Sequence, residues 1–175
     1  MNAFTYRCTD CGRRYSREEV RYLCPECGTS YRPGIPLVGV LEAVLDDGAI
    51  RSSFDRQNPD WQLFCAVERE FHPPLAVGNT PLARVDRLGS ELGLDRLWVK
   101  NDGLNPSGSL KDRASFLVVA EARRLGEKRV VAASTGNAAS ALAAVAASAG
   151  VEALIFVPEK APRAKLVQRV LAGAT

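Results

Sequence analysis

A single histidine, His72, stands in a chain of 175 residues, and two prolines follow it directly. A Ser/His/Asp or Cys/His hydrolase therefore has no base to draw on, and His72 reads as a structural residue. No apolar run approaches the roughly eighteen residues of a membrane span, and the opening MNAFTYRCTD has no apolar core of a signal peptide. Blocks of about five or six like charges are also missing. With a formal net charge of only +3, nothing marks a nucleic-acid partner. Low-complexity tracts and internal repeats are absent. What remains is a globular composition, 46% apolar and 25% charged. The length suits one ordinary domain, or a small domain joined to part of a larger one. A soluble, cytoplasmic protein is expected, with no membrane and no nucleic acid among its partners.

Cysteine is scarce but patterned. Four of the five cysteines fall in two copies of Cys-x-x-Cys-Gly, YRCTDCGRRY and YLCPECGTSY, with twelve residues between the pairs. Two thiolates three positions apart on a tight turn can bind one ion, and the glycine after each pair lets the backbone turn without a Cβ clash. Two such turns facing each other complete a tetrahedral sulfur site at Cys8, Cys11, Cys24 and Cys27. The spacing fits Zn²⁺, and iron suits the same four-thiolate cage. Four thiolates close the coordination sphere, so the metal is expected to be structural. It would compensate for a segment with too few large apolar side chains to form its own core. Residues 1–34 are thus expected to form a zinc ribbon. Cys65 stands alone among apolar neighbours and reads as a small buried hydrophobe.

Residues 35–77 are expected to be a connecting segment packed on the larger domain. PLVGVLEAVLDD has the Val/Leu content of a strand ending in an acidic turn. PDWQLFCAVEREF suggests a helix starting after Pro59 with Asp60, stopped by His72 and its prolines.

From Arg96 onward strand and helix patterns alternate. RLWVK, KRVVAAS and EALIFVP read as strands. KDRASFLVVAEARRLG is an amphipathic helix ended by Gly126, GNAASALAAVAASAG a helix stopped by Gly150, and PRAKLVQRVLAGA a helix from Pro162 to near Gly173. The expected fold class is α/β, a three-layer α/β/α parallel sheet with right-handed crossovers. Ligands bind such sheets at the carboxyl ends of the strands, in the loops before the helices. Two unusual loops occupy that position. NDGLNPSGSL places Lys111 at the start of the first helix, and ASTGNAA places Ser134, Thr135 and Asn137 at the start of the second. Unpaired N–H groups and positive dipole ends there suit an anion, and they disfavour an ammonium relative to the neutral amine that a nucleophilic lysine needs.

Three motifs, GNTPL (Gly78 to Leu82), NPSGSLKDR (Asn105 to Arg113) and STGNAA (Ser134 to Ala139), in this order and spacing, resemble those of the pyridoxal-phosphate enzymes of the tryptophan synthase β-subunit type. This fold type II family includes cysteine synthase, threonine dehydratase and threonine synthase. The resemblance runs from about residue 35 to the end, and 78–175 would be the N-terminal portion of its α/β domain. It implies pyridoxal 5'-phosphate carried by Lys111 as a Schiff base, with Asn137 hydrogen-bonded to the ring hydroxyl. STGNAASALAAVAASAG looks like the threonine synthases, some of which also carry a zinc ribbon. That resemblance implies O-phospho-L-homoserine and water as reactants, L-threonine and phosphate as products, and Ser134 and Thr135 at the substrate carboxylate. The cofactor would be the electron sink and Lys111 would move protons at Cα and Cβ. A homodimer is the expected assembly.

Several neighbours keep plainer readings. Asp112 suits the helix N-terminus, Arg113 a surface ion pair, and Lys100 and Asp102 the wall of the site. Leu110 stands where the family often has phenylalanine or isoleucine. The glycine-rich loop that holds the cofactor phosphate, and the residue facing the pyridine nitrogen, come later in the family than residue 175. The chain alone is therefore expected to be a truncated, inactive portion of the enzyme. A dehydratase, a cysteine synthase-like enzyme and a non-catalytic interaction protein are the alternatives.

Overall fold

The computed structural model describes residues 4–159 and 173–174. The third helix expected from Pro162, with Lys165, lies outside the described residues. The chain divides into two compact units, 1–68 and 69–175. Among the described residues no helix is long and apolar enough to cross a membrane.

The first unit is built on a three-stranded antiparallel sheet. β1 (Phe4–Cys8) lies at its centre, between β2 (Arg14–Ser16) and β3 (Leu41–Leu45). The β1–β2 register sets Tyr6 opposite Tyr15, and the β1–β3 register runs from Phe4 opposite Leu45 to Cys8 opposite Leu41. The strand expected in PLVGVLEAVLDD is therefore present, and it completes the sheet of the cysteine-bearing segment. The acidic turn after it starts a helix. Asp46 accepts a hydrogen bond from the Ala49 amide at 3.0 Å and caps α1 (Asp47–Ser53).

The helix expected after Asp60 is only a 3-10 turn, Trp61–Phe64. Asp60 does cap it, accepting from the Gln62 amide at 3.0 Å. The Cys65 amide then bonds back to the Gln62 carbonyl at 3.1 Å while Cys65 itself turns extended, and the coil ends. Cys65 is buried as expected, and burial pushes its thiol up to about 11. Arg17 closes the unit by pairing with Glu68, both side chains being largely buried.

In the second unit β4 (Leu82–Arg84) and β5 (Trp98–Lys100) pair antiparallel around α2 (Asp86–Leu92). β6 (Arg129–Ala133) and β7 (Glu152–Phe156) pair parallel across α4 (Asn137–Ser148). The mixed α/β class is as expected, but one strand departs from the expected pairing. RLWVK does not join the parallel pair. The turn after α2 sends the chain back along β4, and the ladder extends beyond the strands through Val85 to Leu97 and Asn101 to Pro81.

That turn depends on Gly89. A Cβ there would lie 2.6 Å from the Leu94 carbonyl oxygen, a backbone atom that cannot swing aside. Gly89→Ala should therefore cost about 1–3 kcal/mol of stability, measurable as a lowered denaturant midpoint. An unchanged midpoint would contradict this packing.

The core of the second unit is the contact between α3 (Lys111–Arg124) and α4. Ala139, Ala141, Ala143, Val145 and Ala146 of α4 are fully or almost fully buried, as are Phe116, Val119 and Ala120 of α3. Small side chains on α4 let the two helices approach closely, which explains the alanine-rich sequence. His72 serves this core as expected, its ring meeting Phe116 edge-on at 5.0 Å. Residues 125–128 join α3 to β6, on which it packs, so α3 runs antiparallel to that strand. Its N-terminus lies toward the carboxyl end of β6, from which α4 begins.

Candidate functional site

The cysteine cluster forms as the spacing predicts. The four sulfurs of Cys8, Cys11, Cys24 and Cys27 all lie within 4.8 Å of one another. Cys11 and Cys24 Sγ are 3.9 Å apart, close to the roughly 3.8 Å edge of a tetrahedron with ~2.3 Å metal–sulfur bonds. The donor set suits a metal ion. The two glycines act differently. Gly12 has φ 71°, where a side chain is strained, and its amide bonds the Cys8 carbonyl at 3.0 Å. Gly28 is needed for space, since a Cβ there would lie 3.0 Å from Leu23 Cβ.

The second cysteine turn is tied to the start of β3. The Cys24 amide donates to the Gly39 carbonyl at 2.7 Å, and the Gly39 amide donates to Asp10 Oδ2 at 2.8 Å. The Cys27 backbone N–H and the Tyr15 hydroxyl, 3.0 Å from Cys24 Sγ, lower the Cys24 thiol to about 7. Tyr15 is correspondingly pushed up to about 12.

In the second unit Lys111 is the first residue of α3, exposed, and its Nζ has no partner among the described residues. Ser134, Thr135 and Gly136 form the turn from β6 into α4, which Asn137 begins. The Ser134 amide bonds the Phe156 carbonyl at 3.2 Å, placing this turn at the carboxyl ends of both parallel strands. Ser134 Oγ accepts from the Gly136 amide at 3.2 Å, and a Cβ on Gly136 would meet nothing within 4 Å. The topology thus brings Lys111 and the 134–137 turn to one end of the unit, although no hydrogen bond joins them among the described residues. An amine and, at the same end of the unit, a turn with hydroxyl, amide and helix N–H donors are groups that suit a ligand bearing an aldehyde and anionic groups.

Hydrogen bonds explain why GNTPL and NPSGSLKDR occur together. Asn105, buried, accepts from the Gly78 amide at 3.0 Å and donates to the Asp102 carbonyl at 3.0 Å. Asn79 follows at φ 47°, a left-handed conformation that asparagine tolerates. Thr80 donates its hydroxyl to Asp102 Oδ1 at 2.6 Å, and Lys100 donates to the Thr80 carbonyl. Arg113 donates to both Asp102 oxygens at 2.8 Å. The expected surface ion pair of Arg113 is this two-point bond. Asp112 does more than favour a helix end, because it is fully buried and accepts from the Ser107 amide at 2.8 Å. A charged residue beside a helix start carries no mark in sequence that it turns inward, so this role was not legible there.

The Arg113 guanidinium and the Thr80 hydroxyl hold the Asp102 carboxyl well below the usual carboxylate range. A depressed carboxylate stabilises the fold above its unfolded value, about 4, and loses that stabilisation as pH falls through the lower folded value. The melting temperature of Asp102→Asn should therefore fall short of the parent's at neutral pH and converge with it in strong acid. A gap that persists unchanged into strong acid would contradict the ion pair.

Residues 74–175 match the family model described as pyridoxal-phosphate dependent enzyme. The chain is 35% identical over 177 aligned positions to threonine synthase of Methanosarcina acetivorans, covering 96% of this chain and 40% of that protein. It is 43% identical over 101 positions to threonine synthase of Halalkalibacterium halodurans, covering 57% of this chain and 28% of that protein. The crystal structure of O-ureido-L-serine synthase is similar with a TM-score of 0.51 and 29% identity, over 57% of this chain and 32% of that one. The chain thus spans less than half the length of these curated relatives. With a lysine at a helix start, inside a motif hydrogen-bonded to GNTPL, and a family match from residue 74 onward, the chain belongs to the pyridoxal-phosphate dependent enzymes.

Proposed function

We propose that this chain carries the lysine-bearing part of a threonine synthase, which converts O-phospho-L-homoserine and water to L-threonine and phosphate. The observation that supports it most is the similarity to the Methanosarcina threonine synthase, which runs through the cysteine segment as well as the lysine motif. In this reading Lys111 holds the cofactor through its amine and Asn137 donates its amide to the ring hydroxyl. Ser134, Thr135 and the first N–H groups of α4 bind the substrate carboxylate. Bound pyridoxal phosphate supplies an electron sink for negative charge at the substrate Cα. Lys111 would then move protons, taking one each from Cα and Cβ and returning one each to Cγ and Cα, while the Cγ–O bond breaks to release phosphate and water adds its oxygen at Cβ.

The ion in the cysteine site is Zn²⁺ in this proposal, closed by four thiolates and structural in role. A reducing, cytoplasmic compartment suits cysteines kept as ligands. Turnover belongs to the full length of the relatives, and these 175 residues alone are expected to make no threonine. The test is product analysis on a full-length enzyme carrying this segment. Equal amounts of threonine and phosphate from O-phospho-L-homoserine are expected, and deamination of threonine without that activity would replace this reading with a deaminase.

A further inference from the structure

Two carboxylates beside the lysine loop take part in no chemical step above. Asp112, adjacent to Lys111, is 0% exposed. Its Oδ2 accepts the Ser107 amide at 2.8 Å, and its Oδ1, also buried, has no hydrogen-bond partner among the described residues. A buried carboxylate with one oxygen unsatisfied is costly to keep. Asp102 stands at the other end of the loop and binds Arg113 with two hydrogen bonds of 2.8 Å.

The loop between them is therefore fastened twice to the two residues that follow Lys111. Its start is held by Asp102 to Arg113, and its middle by the Ser107 amide to Asp112. The Lys111 amide itself donates to Ser109 Oγ at 3.2 Å, and Gly108 at φ 75° provides the bend between the fastened points. Leu110, just before the helix, offers no side-chain cap.

We propose that Asp102 and Asp112 are positioning residues for Lys111. Asp102 acts through the Arg113 guanidinium and Asp112 through the Ser107 amide, and together they aim the amine at the turn before α4. This inference rests on the reading of Lys111 as the amine that takes the cofactor.

The experiment uses the full chain with pyridoxal phosphate in excess, followed by borohydride and peptide mass spectrometry. Borohydride fixes transient adducts, so tight binding is not required. Lys111 competes in the same tube with Lys100, Lys128, Lys160 and Lys165. In the parent chain Lys111 should carry the largest share of pyridoxyl group. Asp112→Ala and Asp102→Ala should each lower that share about fivefold, the factor that one net hydrogen bond is worth. Labelling of Lys128, Lys160 and Lys165 and the helical circular dichroism should stay constant, whereas Lys100, bonded to the Thr80 carbonyl beside Asp102, is not a control. Asp112→Asn keeps a carbonyl oxygen for the Ser107 amide and should restore most of the share. If Asp112→Ala does not fold, Asp102→Ala, altered at a partly exposed site, decides the matter by the same readout. An unchanged Lys111 share in a folded variant, or an equal fall at every lysine, overturns the inference alone. A parent chain with no preference for Lys111 overturns the site reading, and the inference with it.

Discussion

Lys111→Ala is expected to abolish threonine formation in a full-length enzyme carrying this segment while leaving the fold and the metal in place. The side chain is exposed and has no partner among the described residues, so its loss should change stability by no more than about 0.5 kcal/mol. It would be both the attachment point of the cofactor and the carrier of protons at Cα and Cβ, and no other described lysine begins a helix of the parallel unit. Asn137→Ala should be intermediate. Losing one hydrogen bond to the cofactor ring costs roughly 1–3 kcal/mol when a partner is left unpaired, or about one to two decades of rate if the loss falls wholly on the transition state. Lys165→Ala, in a stretch of helical pattern outside the described residues, should be nearly silent. Steady-state kinetics on the three variants would give that order. Comparable activity in Lys111→Ala and Lys165→Ala would contradict the site.

Removing the metal should have the largest effect on stability. The sheet of the first unit buries few large side chains, and its two cysteine turns meet only through short backbone links and the four clustered sulfurs that would ligate the proposed metal. Binding free energies of structural zinc are of the order of 10 kcal/mol in small domains. Chelation, or Cys24→Ser at a site only 1% exposed, is therefore expected to unfold β1, β2 and β3 together. Amide exchange would show this as loss of protection in residues 4–45 with the α3–α4 core still protected. Elemental analysis should give about one zinc per chain before treatment. Absence of metal together with an intact, protected β-sheet would refute the assignment.

The cysteine turns and the helices α3 and α4 were legible because each is encoded locally. Spacing alone brings four sulfurs together, and Gly126 and Gly150, each in the left-handed region, follow α3 and α4 where the pattern placed them. Features that depend on distant partners were less visible. β4 is three residues long, follows a proline and has no alternation, so nothing announced that it would take β5 away from the parallel pair. β3 was recognisable as a strand, but its partner β1 lies some thirty residues earlier, beyond the reach of a local pattern. Asp102 and Asp112 read as ordinary charges, because burial and a bond to a backbone amide are properties of the folded loop.

The role of Lys111 is decided most directly by where pyridoxal phosphate attaches. Reduction of the cofactor-treated protein with borohydride, followed by peptide mapping, is predicted to place the pyridoxyl group on the peptide containing Lys111, with Lys111→Ala eliminating it. Attachment mainly at any of the other four lysines, or labelling that survives Lys111→Ala undiminished, would contradict it.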